Sequence, residues 1–248
     1  MKLFAAAAAS IFALCLIVPA CCSGAGGDQF PWNARYDFIR GVPSITFHNC
    51  HGVMAGSYPD GRETVEIGFD DACGYLGHVC ICTAGGYRIA QIAVDTLQAG
   101  GAPLEKGEFV LIASRDNAVS DVVAFVLGSP RRNDPEKNQH FIDESIETAK
   151  REYVYYVAYR PLKRAVRVIY RKHLLVGNEM MDRLWKIETA AEEDPASVSE
   201  SDMTLYRGAM ADMVRDVLLG NRPGLFEAAA IDYDEFLAHL GRMKSEVR

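Results

Sequence analysis

A helix with no polar face has to be enclosed by other elements, and residues 80–97 describe such a helix. Ile89, Ala90, Ile92, Ala93, Val94 and Leu97 spread apolar side chains over several sides of the helical repeat, which places it inside a core. Gly100, Gly101 and Pro103 end it. The chain is long enough to enclose it. It has 248 residues, 49% hydrophobic and 24% charged, which excludes a disordered chain, a collagen-like repeat and a small disulfide-stapled scaffold. A net charge of −7 with a pI near 5.4 argues against a nucleic-acid binder, since such proteins carry basic faces that displace phosphate counterions.

Around that helix the pattern alternates. Residues 44–47 and 64–69 read as short strands, with turn chemistry at Gly56, Ser57, Tyr58, Pro59, Asp60 and Gly61 between them. Residues 109–113 form a fully apolar strand. A second helix over 119–127 closes at Gly128, Ser129 and Pro130, and 131–138 is a charged, Pro-interrupted exposed loop. Residues 152–159 and 165–171 read as an antiparallel hairpin turning at Pro161, Leu162 and Lys163. The alternating Tyr153, Tyr155 and Tyr159 are the cross-strand packing such hairpins use.

From residue 178 onward the signal is helical throughout. Met203, Tyr206, Met210, Met213, Val214 and Val217 recur at spacings of three and four, and Ser199 with Asp202 forms a helix-start signature. Gly220, Asn221 and Pro223 stop that helix, and 232–243 begins another. The methionines between Met180 and Met213 follow helical spacing, which marks them as core rather than copper ligands. The expected class is α+β: a small antiparallel or mixed sheet with packed helices over 34–177, plus a helical C-terminal appendage over 178–248. The appendage packs on the core, on a second copy or on another protein.

The N-terminus reads as a secretory signal peptide over residues 1–20, with Lys2 ahead of an unbroken small and apolar run. Val18, Pro19, Ala20 and Cys21 resemble a lipobox, so Cys21 is the expected lipidation site and 21–33 a linker. A lipidated Cys21 tethers an otherwise soluble domain to a membrane, placing the protein in the periplasm or cell envelope. No later stretch reaches about 18 uninterrupted apolar residues.

Export changes the meaning of the cysteines. Cys50, Cys73, Cys80 and Cys82 are interleaved with His48, His51 and His78. This clustering suits two disulfides in any of three pairings, and it suits a metal site equally. The chain has no phosphate-binding glycine loop, no His-Glu-x-x-His, no Gly-x-Ser-x-Gly and no Cys-x-x-Cys. What carries chemistry is the run 73–82, which leads straight into the buried helix. A thiol at a helix N-terminus has its thiolate favoured, as ligand and as nucleophile. Cys80 is expected to act from the turn before the helix. His78 and Cys82 share a face if the helix already includes His78, and His48 and Cys50 point the same way on a strand.

Gly77-His78-Val79-Cys80, followed by Gly86-Tyr87-Arg88 and Ala90, resembles the opening motif of the FmdE-like family, proteins similar to one component of formylmethanofuran dehydrogenase. Further on, the strand 109–113, Asp116, Asp121 and Gly128 keep the family's order and spacing, and Val166-Arg167-Val168 is similar to its later core strand. The resemblance spans about residues 72–172. Leu76 stands where the motif has its first His, Ile81-Cys82 where it has Pro-Gly, and Ala118 where it has a second Cys. The resemblance implies an FmdE-like α+β core with a metal site using His78 and Cys80. Cys82, Cys73, Cys50 or His48 would complete the ligand set, and Arg88, Asp116 and Asp121 would line the pocket or orient the ligands.

Three readings follow. The first is an exported metal-binding protein, with zinc the default over other transition metals. The second is an enzyme, hydrolytic or redox, with Cys80 as nucleophile or a metal activating water. The third is a disulfide-stabilised module that docks a partner.

Overall fold

The computed structural model describes residues 32–246 apart from 60, 99 and 135. The signal-like run, Cys21, Cys22 and the start of the linker lie outside these residues. A short 3₁₀ helix over Ala34–Gly41 leads into strand β1 (Ile45–His48) and a one-turn helix α1 (Cys50–Met54). Strand β2 (Thr64–Ile67), helix α2 (Phe69–Leu76) and the long helix α3 (Ile81–Leu97) follow. Next come β3 (Leu104–Glu105), β4 (Phe109–Ala113), α4 (Ala118–Leu127) and β5 (His140–Ile142). The hairpin β6 (Glu152–Tyr159) and β7 (Arg164–Arg171) precedes helices α5 (Gly177–Glu193) and α6 (Glu200–Leu219). The described chain closes with β8 (Phe226–Ile231) and α7 (Tyr233–Glu246).

The strands form two sheets, a small one in the order β2-β1-β3 and a larger one in the order β5-β4-β6-β7-β8. In the larger sheet β4 and β5 run parallel, and the other pairs are antiparallel. The α+β class stands. Alternation along the strands separates the two faces of this sheet. Val110, Ile112, Phe141, Ala158 and Ala165 pack with Phe236 and Met243 of α7. Tyr170 turns the other way, toward Gly85 of α3. The sheet is therefore covered on one face by α7 and on the other by α3, which also packs against α2, α4 and α6.

Helix α3 is enclosed as its sequence requires, with Tyr87, Ile89, Ala90 and Ala93 fully buried. Two glycines let neighbours approach its backbone. A Cβ on Gly85 would lie 2.6 Å from the Tyr170 ring, and one on Gly86 would lie 2.7 Å from the Val119 carbonyl oxygen of α4. The Tyr87 hydroxyl donates toward the carbonyl oxygens of Pro43 and Ile67, each 2.9 Å away, and fixes α3 against the small sheet. At the far end of α4, the Lys106 ammonium donates to the carbonyl oxygens of Phe125 (3.0 Å) and Val126 (2.6 Å). This satisfies carbonyl groups that a helix end leaves without partners.

Several features depart from the sequence reading: residues 68 and 69, read as the end of a strand, open α2, and α3 begins at Ile81, so His78 and Cys82 do not share a helix face. Residues 178–248 supply α5, α6 and α7, but they also supply β8, which pairs with β7 from Ala165↔Ile231 to Tyr170↔Phe226. The C-terminal region is thus woven into the sheet. His48 and Cys50 do not share a strand face, because β1 ends at His48 and Asn49 caps α1, its side chain accepting from the Gly52 N–H. No helix among the described residues is long and apolar enough to cross a membrane.

Candidate thiolate site

The loop between α2 and α3 presents the sulfur chemistry. Helix α2 ends with Gly77 in the left-handed conformation at φ 82°, a geometry that suits glycine. The chain then runs extended to Cys80, which is the N-cap of α3, and its Sγ accepts from the Thr83 N–H at 3.4 Å. The Thr83 hydroxyl lies 3.3 Å from Cys80 Sγ and 3.2 Å from the His78 carbonyl oxygen. N-caps usually offer a hard oxygen acceptor. Here a sulfur takes that place and collects the same donors.

Those donors decide which sulfur is charged. A hydrogen bond from Cys82 is the largest influence lowering the Cys80 pKa, and it outweighs burial with help from Thr83 and the nearby His78. The same bond holds the Cys82 proton in place, so the Cys82 pKa is pushed well up, with burial adding to the rise and Lys172 opposing it. Within the pair these influences favour the thiolate at Cys80 and the thiol at Cys82. Lys172 at the end of the hairpin donates to Cys82 Sγ at 3.4 Å. Cys73 is buried within α2, and burial followed by the charges of Asp70 and Cys80 drives its pKa upward, so it stays a thiol.

A cavity of about 460 Å³ adjoins the pair, with Ile81, Tyr153 and Lys172 of the core on one side and residues of α5 and α6 on the other. Met181, Met210 and Met213 give it soft apolar walls. The Tyr206 hydroxyl donates to Glu188 at 2.6 Å, and its pKa is pushed up by burial, then by Glu188 and the Cys80 charge. At the rim, Lys150 and Arg151 both pair with Asp182, at 3.0 and 2.5 Å. The C-terminal helices thus help build the pocket beside the thiolate.

The remaining sequence candidates lie in other places. His78 is exposed, with Nδ1 at 3.2 Å from the Leu76 carbonyl oxygen. His48 and Cys50 form a separate corner, where the Glu105 carboxylate receives His48 Nδ1 at 2.5 Å and the Cys50 N–H at 2.8 Å. Arg88 donates to Gln91 at 3.1 Å and lines a cavity of about 540 Å³ beside β1. Asp116 accepts two 3.0 Å hydrogen bonds from Arg131, and Asp121 lines a further cavity with His140.

Cys80, Cys82 and Cys73 are thus neighbours, whereas His48, Cys50, Arg88, Asp116 and Asp121 are elsewhere. The four described cysteines, Cys50, Cys73, Cys80 and Cys82, are free thiols. Among the described residues no group of three or more His, Cys, Asp and Glu side chains is gathered in a metal-holding arrangement. The donors themselves, two thiols at the N-terminus of a helix, are of the type a thiophilic cation takes. Lys172, Thr83 and Tyr206 were not among the sequence candidates. Only Thr83 left a signal, standing three residues after Cys80 as an N-cap partner does.

A sequence model of a protein family, described as FmdE, Molybdenum formylmethanofuran dehydrogenase operon, matches residues 76–220. The match covers more than half of the chain and takes in the thiol pair, α3, the hairpin and both helices of the adjoining cavity. No curated protein and no solved structure matches the chain.

Proposed function

Because the chain belongs to the FmdE family, we propose that it is a metal-binding protein whose ligands are the sulfurs of Cys80 and Cys82. The carrying observation is the geometry at the N-terminus of α3, where Cys80 Sγ accepts from the Thr83 N–H at 3.4 Å and the Lys172 ammonium donates to Cys82 Sγ at 3.4 Å. At the positive end of the helix the thiolate form that a metal ion binds is already favoured. His78, in the same loop and close enough to favour the Cys80 charge, supplies the third donor by rotation of its exposed ring. Sulfur and imidazole together favour zinc among abundant metals. Fewer than four protein ligands leaves a coordination position for a molecule held in the adjoining cavity, where a bound metal would act as a Lewis acid.

This chain's own residues do the rest. The α3 dipole and the Thr83 N–H stabilise negative charge on Cys80. Lys172 does the same for Cys82 once its proton leaves. A second reading, Cys80 as a nucleophile, rests on the same favoured thiolate at the N-terminus of α3. Residues 1–20 and Cys21 support an exported, lipid-anchored protein in the cell envelope. Trp185 of α5, which is 65% exposed, supports contact with a partner or second copy through the helical region.

The test is a cobalt(II) titration of chelator-stripped, reduced protein. The expected result is a sulfur-to-cobalt charge-transfer band that saturates at one metal per chain, disappears on adding zinc, and is absent in Cys80→Ser and Cys82→Ser. Wild-type protein that stays colourless, or a Cys80→Ser variant with an unchanged band, overturns the assignment. The nucleophile reading requires chelator-stripped protein to be alkylated by iodoacetamide at Cys80 faster than at Cys73, and equal rates dispose of it.

A further inference from the structure

A different cavity, of about 500 Å³, opens where α2, α4 and the loop into β5 meet. Its size falls within the range of small-molecule sites, and its lining includes no cysteine. His140, the first residue of β5, is 3% exposed, and its Nε2 has no hydrogen-bond partner. Buried polar nitrogens are nearly always paired, so this one is missing a partner. Burial, and after it the Arg131 charge, pushes the His140 pKa down to about 4. The ring is therefore neutral at pH 7, and a neutral imidazole offers one acceptor nitrogen.

The charges around His140 specify what that partner carries. Asp121, on the first turn of α4, lines the same cavity. Burial pushes its pKa up against the pull of Arg131, which lines the cavity too and whose two guanidinium nitrogens donate to the two oxygens of Asp116 at 3.0 Å each. Arg131 is thus paired with a carboxylate outside the lining, and Asp121 is the lining carboxylate that no hydrogen bond to its side chain engages among the described residues. Tyr75 stacks on Phe125 with ring centroids 4.6 Å apart at 9°, and both line the cavity. Aromatic faces attract cations and accept apolar groups. An unpaired imidazole nitrogen, which accepts when the proton is on Nδ1, a carboxylate without a hydrogen bond and an aromatic wall together suit a ligand with N–H donors and a positive charge.

We propose that this cavity binds a small organic cation, an amine or amidine, whose N–H groups bond Asp121 and His140 Nε2 while its apolar part lies against Tyr75 and Phe125. This site is independent of the thiol pair. The test is calorimetric titration of the full chain with benzylamine, benzyl alcohol and benzoate, three probes that share a ring and differ in the group it carries. Benzylamine is expected to bind saturably and at least about tenfold more tightly than the other two, the margin of one charge-assisted hydrogen bond. Asp121→Asn should lose that margin, and His140→Phe should weaken benzylamine several-fold. Cys80→Ser should leave benzylamine affinity unchanged. Absence of benzylamine binding, equal or tighter binding of benzoate, or an Asp121→Asn variant with wild-type affinity each overturns the proposal. The comparison of probes on the wild-type protein decides the matter even if a variant fails to fold.

Discussion

Cys80 and His140 are both enclosed side chains, 9% and 3% exposed, and burial disfavours the charged form of each, yet only at Cys80 is that effect outweighed. Cys80 stands at a helix N-terminus and collects donors from Cys82, the Thr83 side chain and the Thr83 N–H. His140 is on a sheet edge, finds no partner for Nε2 and has a guanidinium nearby. Depth alone does not set the charge of a buried group. The number and sign of the groups that converge on it do. The thiolate is finished by the protein, whereas the imidazole is left incomplete.

The largest expected effect breaks the imidazole side of this contrast. The His140 pKa falls from the ordinary 6.5 to about 4 in the folded chain, so the unfolded chain takes up the proton first as pH falls. Stability is unaffected above pH 7, declines as pH falls from about 6.5 to 4, and is flat below that. The full loss is about 3 kcal/mol. His140→Phe should remove this component, so that urea midpoints of wild type and variant diverge between pH 7 and pH 4 in the variant's favour. Parallel pH profiles would show that His140 takes up its proton equally in the folded and unfolded chains.

The thiolate side is broken by Cys80→Ala. The variant loses the acceptor for the Thr83 N–H and strips the Cys82 thiol of its partner. Loss of an N-cap together with a stranded buried donor should cost about 2 kcal/mol at pH 7, read from urea denaturation. Cys80→Ser retains an N-cap acceptor and should recover about half of it. A smaller effect is expected at Gly85, whose missing Cβ admits the Tyr170 ring at 2.6 Å. Gly85→Ala gains helix propensity but displaces a ring stacked on Phe226, for a net loss of about 1 kcal/mol. The same variant should shift the thiolate absorbance titration, because Tyr170 adjoins Cys82. An unshifted titration would detach the ring from the thiol pair.

What the sequence disclosed follows the range of the interactions involved. Helix α3, its glycine stops and the β6–β7 hairpin were legible because their periods and turns are local. Strand β8 was not, since Phe226–Ile231 reads FEAAAI, which lacks strand alternation and forms a strand by pairing with β7. Cys80 was legible as a thiol placed before a helix. Lys172 was not, because it reaches Cys82 across 90 residues of sequence. His140 was hidden for a different reason: a lone histidine after a charged loop carries no pattern, and its significance lies in a partner it lacks.

The smallest expected effect sharpens the boundary between the sulfur sites. In sequence, Cys50 belongs to one cluster with Cys73, Cys80 and Cys82, but the fold places it on α1, exposed, with Sγ 3.7 Å from Met54 Sδ. Its anchor is its backbone, through the N–H that donates to Glu105, and serine keeps that bond. Cys50→Ser should therefore change stability by less than about 0.5 kcal/mol, as surface substitutions do, and leave the cobalt band of the Cys80–Cys82 pair unaltered. Glu105→Gln, by contrast, removes the charge that holds His48 and should loosen α1, visible as faster amide exchange at Cys50 with no change at Thr83. If Cys50→Ser instead weakened metal binding, the two sulfur regions would have to meet in solution, and the division drawn between them would fail.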